Sequence, residues 1–234
     1  MQNTMDLCTA APSGLSMATG GNTSLSQLGA GRPVGPVFSG GCTLQDFHAM
    51  RPAGGFDFIM ADPPWQFDLF SAAGEEKAAQ AQYICQSTDW VKDMPVSALA
   101  ADDCLLWLWA TNPMLPQAFE VMAAWGFTFK TAGHWVKRTV NGKLAFGTGY
   151  VLRCAGEPFL IGTRGKPKTT RSTRSVIEGP IREHSRKPDE AFAAAEQLMP
   201  AARRIELFSR QPRAGWAVWG NEATKFEGND DHHV

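Results

Sequence analysis

The chain is expected to fold as an α/β domain on a mainly parallel sheet with helices on both faces. Three observations carry this expectation. Short, largely apolar runs bounded by polar or turn residues recur along the chain, as buried strands do. Segments of helical periodicity stand between them. An acid followed by two prolines closes the first clear run, at the strand end where ligands of such sheets bind.

The elements follow in order. Residues 1–36 are rich in Gly, Ser, Thr and Ala, carry only Asp6 and Arg32 as charges and show no apolar periodicity, which reads as a disordered tail. The ordered domain is expected over 37–228, with 229–234, including His232 and His233, as a frayed end. Phe56 to Ala61 reads as a buried strand, as does Cys104 to Trp109. Between them, Glu75 to Gln86 reads as a helix or a mobile loop. Pro113 to Trp125 places Leu115, Phe119, Met122 and Ala123 on one helical face, stopped by Gly126. Further strands are expected at Phe127 to Lys130, His134 to Arg138, Tyr150 to Arg153 and Pro158 to Gly162. Pro188 suits a first helical position, with Asp189 and Glu190 complementing the helix dipole up to about Met199. Ile205 to Phe208 returns as a strand. Trp107, Trp109, Trp125 and Trp135 read as core.

Composition limits the function classes. The 234 residues suit one domain plus a tail, and 44% apolar content suffices for its core. A net charge of −1 gives no global basic field, so any nucleic-acid binding needs a local patch. Cys8, Cys42, Cys85, Cys104 and Cys154 form no C-x-x-C pair, which reads as reduced thiols in a cytoplasmic protein without a bound metal. No run approaches the roughly 18 apolar residues of a membrane span, and the start lacks a basic region followed by an apolar stretch.

Asp62-Pro63-Pro64-Trp65 is the most informative segment. Prolines donate no backbone hydrogen bond and hold a narrow φ, so two of them end a strand and fix the turn after it. The turn presents an acid and an indole together. An exocyclic base amine needs this pair: acceptors for its N–H groups, and an aromatic face for an extruded base.

Eight further segments accompany it in order: Leu106 to Asn112, Trp125-Gly126-Phe127, Trp135-Val136-Lys137, Gly147 to Tyr150, Ile161 to Gly165, Lys187 to Glu190, Ile205 to Phe208 and Trp219 to Glu222. With these the chain resembles the MT-A-seventy family of S-adenosylmethionine-dependent adenine N6-methyltransferases, especially its bacterial and phage branch, over about Phe56 to Glu222. The resemblance implies a Rossmann-like methyltransferase sheet in permuted motif order. It implies that Asp62, Pro63, Pro64 and Trp65 are catalytic, with Asp62 also at the methionine end of the cofactor. It implies that Lys187, Glu206, Arg210, Asn221 and Glu222 lie at cofactor positions. Lys187 would offset the cofactor carboxylate, and Asn221 and Glu222 would bond ribose hydroxyls. On this reading Asp62 and the Pro63 carbonyl each accept an amine hydrogen, Trp65 stacks on the base, and no metal takes part.

Arg164 to Arg174 carries five cations, Arg164, Lys166, Lys168, Arg171 and Arg174, and no acid, and reads as a mobile phosphate-contacting loop. Lys137 and Arg138 either extend that surface or cap a sheet edge. Tyr83 either lines a base pocket or exposes its hydroxyl. His134 and His184 receive no role. DNA is the expected polymer, with RNA and a catalytically silent nucleic-acid-binding subunit as alternatives. A solitary domain, a homodimer and a protein partner all remain open.

Overall fold

The computed structural model describes residues 35–38, 41–66, 86–182 and 186–225. The expected tail up to residue 34, Tyr83 with residues 75–85, His184 and the end beyond residue 225 lie outside the described residues.

The described strands are β1 (Val37–Phe38), β2 (Phe56–Ala61), β3 (Ala100–Trp109), β4 (Thr128–Arg138), β5 (Gly156–Arg164), β6 (Val176–Pro180), β7 (Arg204–Leu207) and β8 (Trp216–Trp219). They form one sheet in the order β1-β8-β7-β2-β3-β5-β4-β6. All pairings are parallel except β3 with β5 and β4 with β5. The sheet is the mainly parallel, Rossmann-like one expected. Its central strand β2 sits between β3 and β7, reached by the chain in opposite directions, and this is where ligand crevices open in such sheets.

Helices cover both faces. On one lie α1 (Leu44–Met50), α2 (Thr88–Asp93) and α3 (Leu115–Ala124). They bury Phe47, Met50, Val91, Ala118, Val121 and Met122 against Ile59, Leu106 and Leu108 of the sheet. On the other lies α4 (Asp189–Leu198), whose Ala191, Phe192 and Ala195 pack on Phe58, Trp107 and Trp216. β2 therefore alternates its side chains between two apolar cores, as a strand buried on both faces must. Trp107, Trp109, Trp125 and Trp135 are all core residues.

Local chemistry explains the element ends. Thr43 caps α1: its hydroxyl accepts from Asp46 N while Asp46 Oδ2 accepts from Thr43 N, a capping box. α3 stops at Gly126, whose φ of +79° only glycine adopts freely. Its buried stripe is Ala118, Val121 and Met122. Phe119, expected on that face, is 41% exposed and packs edge-on against Phe129. Pro188 is the N-cap of α4 rather than its first helical residue.

Two strand expectations are corrected. The expected strands Phe127 to Lys130 and His134 to Arg138 belong to one strand, β4, which starts at Thr128 and whose pairing with β5 runs through a register shift between Phe129 and Thr131. Tyr150 to Arg153 is not a strand. Val151 and Leu152 suit a strand by type, but they are 94% and 81% exposed and find no ladder partner, which β-propensity alone does not supply.

Gly55 fixes how β2 starts against β3. Its φ is +78°, and a Cβ there would lie 2.6 Å from Ala101 N. Gly55→Ala therefore combines left-handed strain with a backbone clash. Urea unfolding is expected to show a loss above about 1 kcal/mol; an unchanged midpoint would contradict this account of the register.

Candidate active site

β2 ends at Ala61, which pairs with Leu108 on one side and Leu207 on the other. Asp62 N still donates to Leu207 O at 3.4 Å, and then two prolines remove the next donors. The turn closes on itself as Trp65 N donates to Pro63 O at 2.8 Å. Gln86 N bonds Pro64 O at 2.9 Å, and Trp65 Nε1 bonds Trp109 O at 3.1 Å. Trp65 is 4% exposed and belongs to the core cluster. The expected stacking role is thus not the one its position shows: the ring anchors the turn to β3 and holds no open face to a base.

Asp62 ends a chain of alternating charges. Lys187 Nζ donates to Asp62 Oδ2 at 2.7 Å and to Glu157 Oε1 at 2.8 Å, and Lys137 Nζ lies 3.0 Å from Glu157 Oε2. Lys187 also sits 5.3 Å from the centroid of Trp109. Burial is the largest influence on Asp62, Glu157 and Lys187 alike. It raises Asp62 above the usual carboxylate range, with Glu157 adding to the rise and Lys187 opposing it. Two ammonium groups outweigh burial at Glu157 and hold it at about 2. Two carboxylates outweigh burial at Lys187 and keep it above its ordinary value. The Asp62 side chain keeps 18% exposure against 5% for Lys187, so the acid faces the crevice and the base lies behind it.

Beside Asp62, β7 contributes Glu206, in register with Met60. It is 8% exposed, and Ser209 Oγ donates to its Oε2 at 2.7 Å. Burial raises Glu206 to about 7 despite that hydrogen bond. Between the two, Phe208 adopts a φ of +64°, a left-handed strain of order 1 kcal/mol beside the crevice. The segment after β8 returns against this turn: a Cβ at Gly220 would meet Ser209 O at 2.5 Å, so only glycine lets the two backbones approach. Asn221 is exposed there, and Glu222 pairs with Arg210 at 3.1 Å and Lys225 at 2.7 Å.

The strand directions decide which other expected residues can join. β5 runs against β3, so Arg164 pairs with Cys104, level with the start of β2, whereas Asp62 lies level with the end of β3. The basic segment therefore begins at the end of the sheet opposite Asp62. It is also fastened: Lys166 N bonds Asp103 Oδ1, Thr170 bonds Leu198 O and Gln197 O, and Thr173 Oγ1 bonds Ala194 O. The segment expected as a mobile phosphate-contacting loop, with Arg164, Lys166, Lys168, Arg171 and Arg174, is thus held by hydrogen bonds to β3 and α4. Arg164 bonds Ser97 O, and Lys166 and Arg174 line a cavity of about 480 Å³ that runs over Trp107 and Phe159.

Sequence reasoning missed Glu157 altogether and left Lys137 between two roles, neither of which was an ion pair behind Lys187. Glu157 lies 30 residues from Lys187 in the chain, and only the antiparallel pairing of β4 and β5 sets it beside Lys137. A lone acid amid the apolar run of β5 was the available signal.

The MT-A70 family profile matches residues 56–222. The chain belongs to the MT-A70 family. It is 32% identical over 186 residues to the "N(6)-adenosine-methyltransferase MT-A70-like" of Arabidopsis thaliana, covering 77% of this chain and 25% of the relative. It is 29% identical over 207 residues to the "N(6)-adenine-specific methyltransferase METTL4" of Mus musculus, covering 80% and 42%. It is 26% identical over 197 residues to the "Type II methyltransferase M.MunI" of a Mycoplasma species, covering 76% and 82%. The chain thus spans about a quarter of the plant relative and most of the last.

Methyltransferases of this family generally use S-adenosylmethionine, which carries a sulfonium, an ammonium, a carboxylate and ribose hydroxyls. The crevice has groups of matching chemistry: carboxyls at Asp62 and Glu206, an ammonium at Lys187, and the amide and ion pair of Asn221, Arg210 and Glu222. Two buried polar atoms at the end of β3, Trp109 Nε1 and Thr111 Oγ1, have no hydrogen-bond partner among the described residues. Among those residues no cluster of metal-ligating side chains is found, and no helix is long and apolar enough to cross a membrane.

These charges have measurable consequences. Lys187→Met leaves Asp62 without its cation and Glu157 with Lys137 alone, and is expected to cost about 3–5 kcal/mol. Asp62→Ala leaves Lys187 on Glu157 and costs less, so urea unfolding should rank the pair in that order. For Glu206, the folded protein holds a proton that the unfolded chain releases between about pH 4.5 and about 7, so stability falls as pH rises through that window. Glu206→Gln should remove that fall, worth roughly 2–3 kcal/mol at pH 8. Thermal melts from pH 4 to 8 check it; an equal shift at every pH would refute the assignment.

Proposed function

We propose that this chain is an S-adenosylmethionine-dependent N6-adenine methyltransferase acting on DNA, with residues 37–228 as the catalytic domain. The observation that carries the proposal is the Asp62 carboxylate, fixed through Oδ2 by buried Lys187 at the sheet's crevice, with Oδ1 left for a substrate amine.

Adenine's amine is a poor nucleophile because its lone pair is delocalised into the ring. The bound cofactor supplies a methyl group already activated on a sulfonium. The protein's part is geometric and electrostatic. Asp62 accepts one amine hydrogen, and Pro63 O accepts the other with the lone pair not used by Trp65 N. Both acceptors favour a tetrahedral nitrogen whose lone pair points along the line of transfer. They also stabilise the positive charge that grows on it. Lys187 and Glu157 keep the carboxylate from turning, and the extra proton leaves to water by way of Asp62.

Lys187, Glu206, Arg210, Asn221 and Glu222 are assigned to the cofactor. Lys187 offsets its carboxylate, and Asn221 and Glu222 bond its ribose. DNA is preferred because the chain corresponds to 82% of the type II methyltransferase but to 25% of the plant adenosine-methyltransferase. RNA is the alternative polymer: a relative from Cryphonectria parasitica named "N6-methyladenosine RNA methyltransferase MTA1" is covered over 60% of its length.

Transfer of radiolabelled methyl to duplex DNA, single-stranded DNA and RNA, with the product nucleoside identified, tests the proposal. N6-methyladenine on DNA is expected. Asp62→Ala should lower kcat by at least about 100-fold while remaining folded. Label on RNA alone would change the polymer, and wild-type rates in Asp62→Ala would refute the mechanism.

A further inference from the structure

Between β4 and β5, residues 139–155 leave the sheet at the Asp62 end and form an arm. Its stem is pinned at two levels: Ala145 N bonds Lys137 O and Lys137 N bonds Ala155 O, while Gly147 and Cys154 exchange backbone bonds at 2.8 and 3.3 Å. Thr139 N bonds Lys143 O across a side turn. The tip turns tightly, since a Cβ at Gly149 would fall 2.1 Å from Leu152 O. The arm is rooted in the ion chain: Lys137 precedes it, Glu157 follows it, and their side chains pair at 3.0 Å.

Its surface is unusual in two respects. It carries half of the twelve large apolar residues exposed among the described residues: Val140, Leu144, Phe146, Tyr150, Val151 and Leu152. It also holds two cations, Lys143 and Arg153, and no acid, and follows Lys137 and Arg138, which pair with Glu157 and Glu178. Arg153 lies over the Phe146 ring at 5.4 Å. A segment both apolar and positive beside a base-modifying site fits one class of partner. Bases offer flat apolar faces, and phosphates offer the anions. A second copy of the chain fits poorly, because a two-fold contact through this arm would set cations against cations.

We propose that the 139–155 arm is the nucleic-acid-contacting wedge of this protein, its apolar tip meeting bases beside the extruded adenine and Lys143 and Arg153 meeting phosphates. The inference rests on the proposed function and assigns to this arm the role that the fastened Arg164 to Arg174 segment was expected to fill. Extrusion leaves a gap in the stack, and an apolar side chain inserted there limits its closure.

The test uses the full chain with bound S-adenosylmethionine and a fluorescent duplex, comparing wild type with Val151→Ser/Leu152→Ser and with Lys143→Gln/Arg153→Gln. Both pairs lie on the exposed arm, so cofactor binding and melting serve as controls of folding. The apolar pair is expected to weaken duplex affinity at least tenfold. The charge pair is expected to flatten the dependence of log affinity on log salt by about 0.9 for each phosphate that is no longer neutralised. Wild type that methylates DNA alongside variants unchanged in affinity and salt slope overturns the wedge and leaves the function standing. Loss of a wild-type dimer in the serine pair, seen by light scattering with duplex affinity unchanged, also overturns it and makes the arm a protein-binding surface. Wild type that methylates no polymer overturns the function beneath it.

Discussion

Everything at the site depends on a row of alternating charge centred on buried Lys187: Asp62, Lys187, Glu157, Lys137. Lys187 is not stable alone at that depth, because taking a single charge out of water costs more than one neighbour returns. Along the row the charges balance, two negative and two positive, and each inner group touches two opposite partners. One end of the row meets the crevice through the Asp62 carboxyl and the other meets the stem of an exposed arm. Behind the crevice, Glu157 therefore bears on the charge state of the acid.

The sheet is what brings these four together. Asp62 follows β2, Glu157 and Lys137 come from adjoining antiparallel strands β5 and β4, and Lys187 immediately precedes the α4 cap. Packing on both faces fixes β2, and the two prolines convert the end of that strand into a rigid turn. Trp65 completes the fixing by bonding β3 through its indole. Rigid supports of this kind hold Asp62 within the small tolerance that the proposed in-line transfer would require. Opposite Glu157, the left-handed Phe208 and the close approach at Gly220 shape the wall where Glu206 lies.

Much of this was legible in the residues, and the rest failed for identifiable reasons. The apolar runs of β2 and β3 announced themselves because buried strands tolerate few polar residues, and Asp62-Pro63-Pro64-Trp65 marked the turn by proline chemistry alone. An apolar run, however, does not encode its direction. Phe159, Leu160 and Ile161 read the same whether β5 runs with β3 or against it, and that direction starts the Arg164 to Arg174 segment at the far end of the sheet. Ion pairing is equally silent over long separations, so Glu157 passed unnoticed and Lys137 was left as a surface charge. Trp65 shows a third limit: a motif names the residue but not whether its ring faces a ligand or the core. Tyr150 to Arg153 shows a fourth, since strand-forming types exposed on an arm need not join a ladder.

The central claim is that Glu157, out of reach of the amine, tunes the acid that accepts it. The acid limb of the pH profile of kcat/KM, compared between wild type and Glu157→Gln, tests it most directly. The Glu157 charge raises Asp62, so its removal should let Asp62 ionise at lower pH and move the acid limb downward. An acid limb that stays in place, or moves upward, would contradict the account.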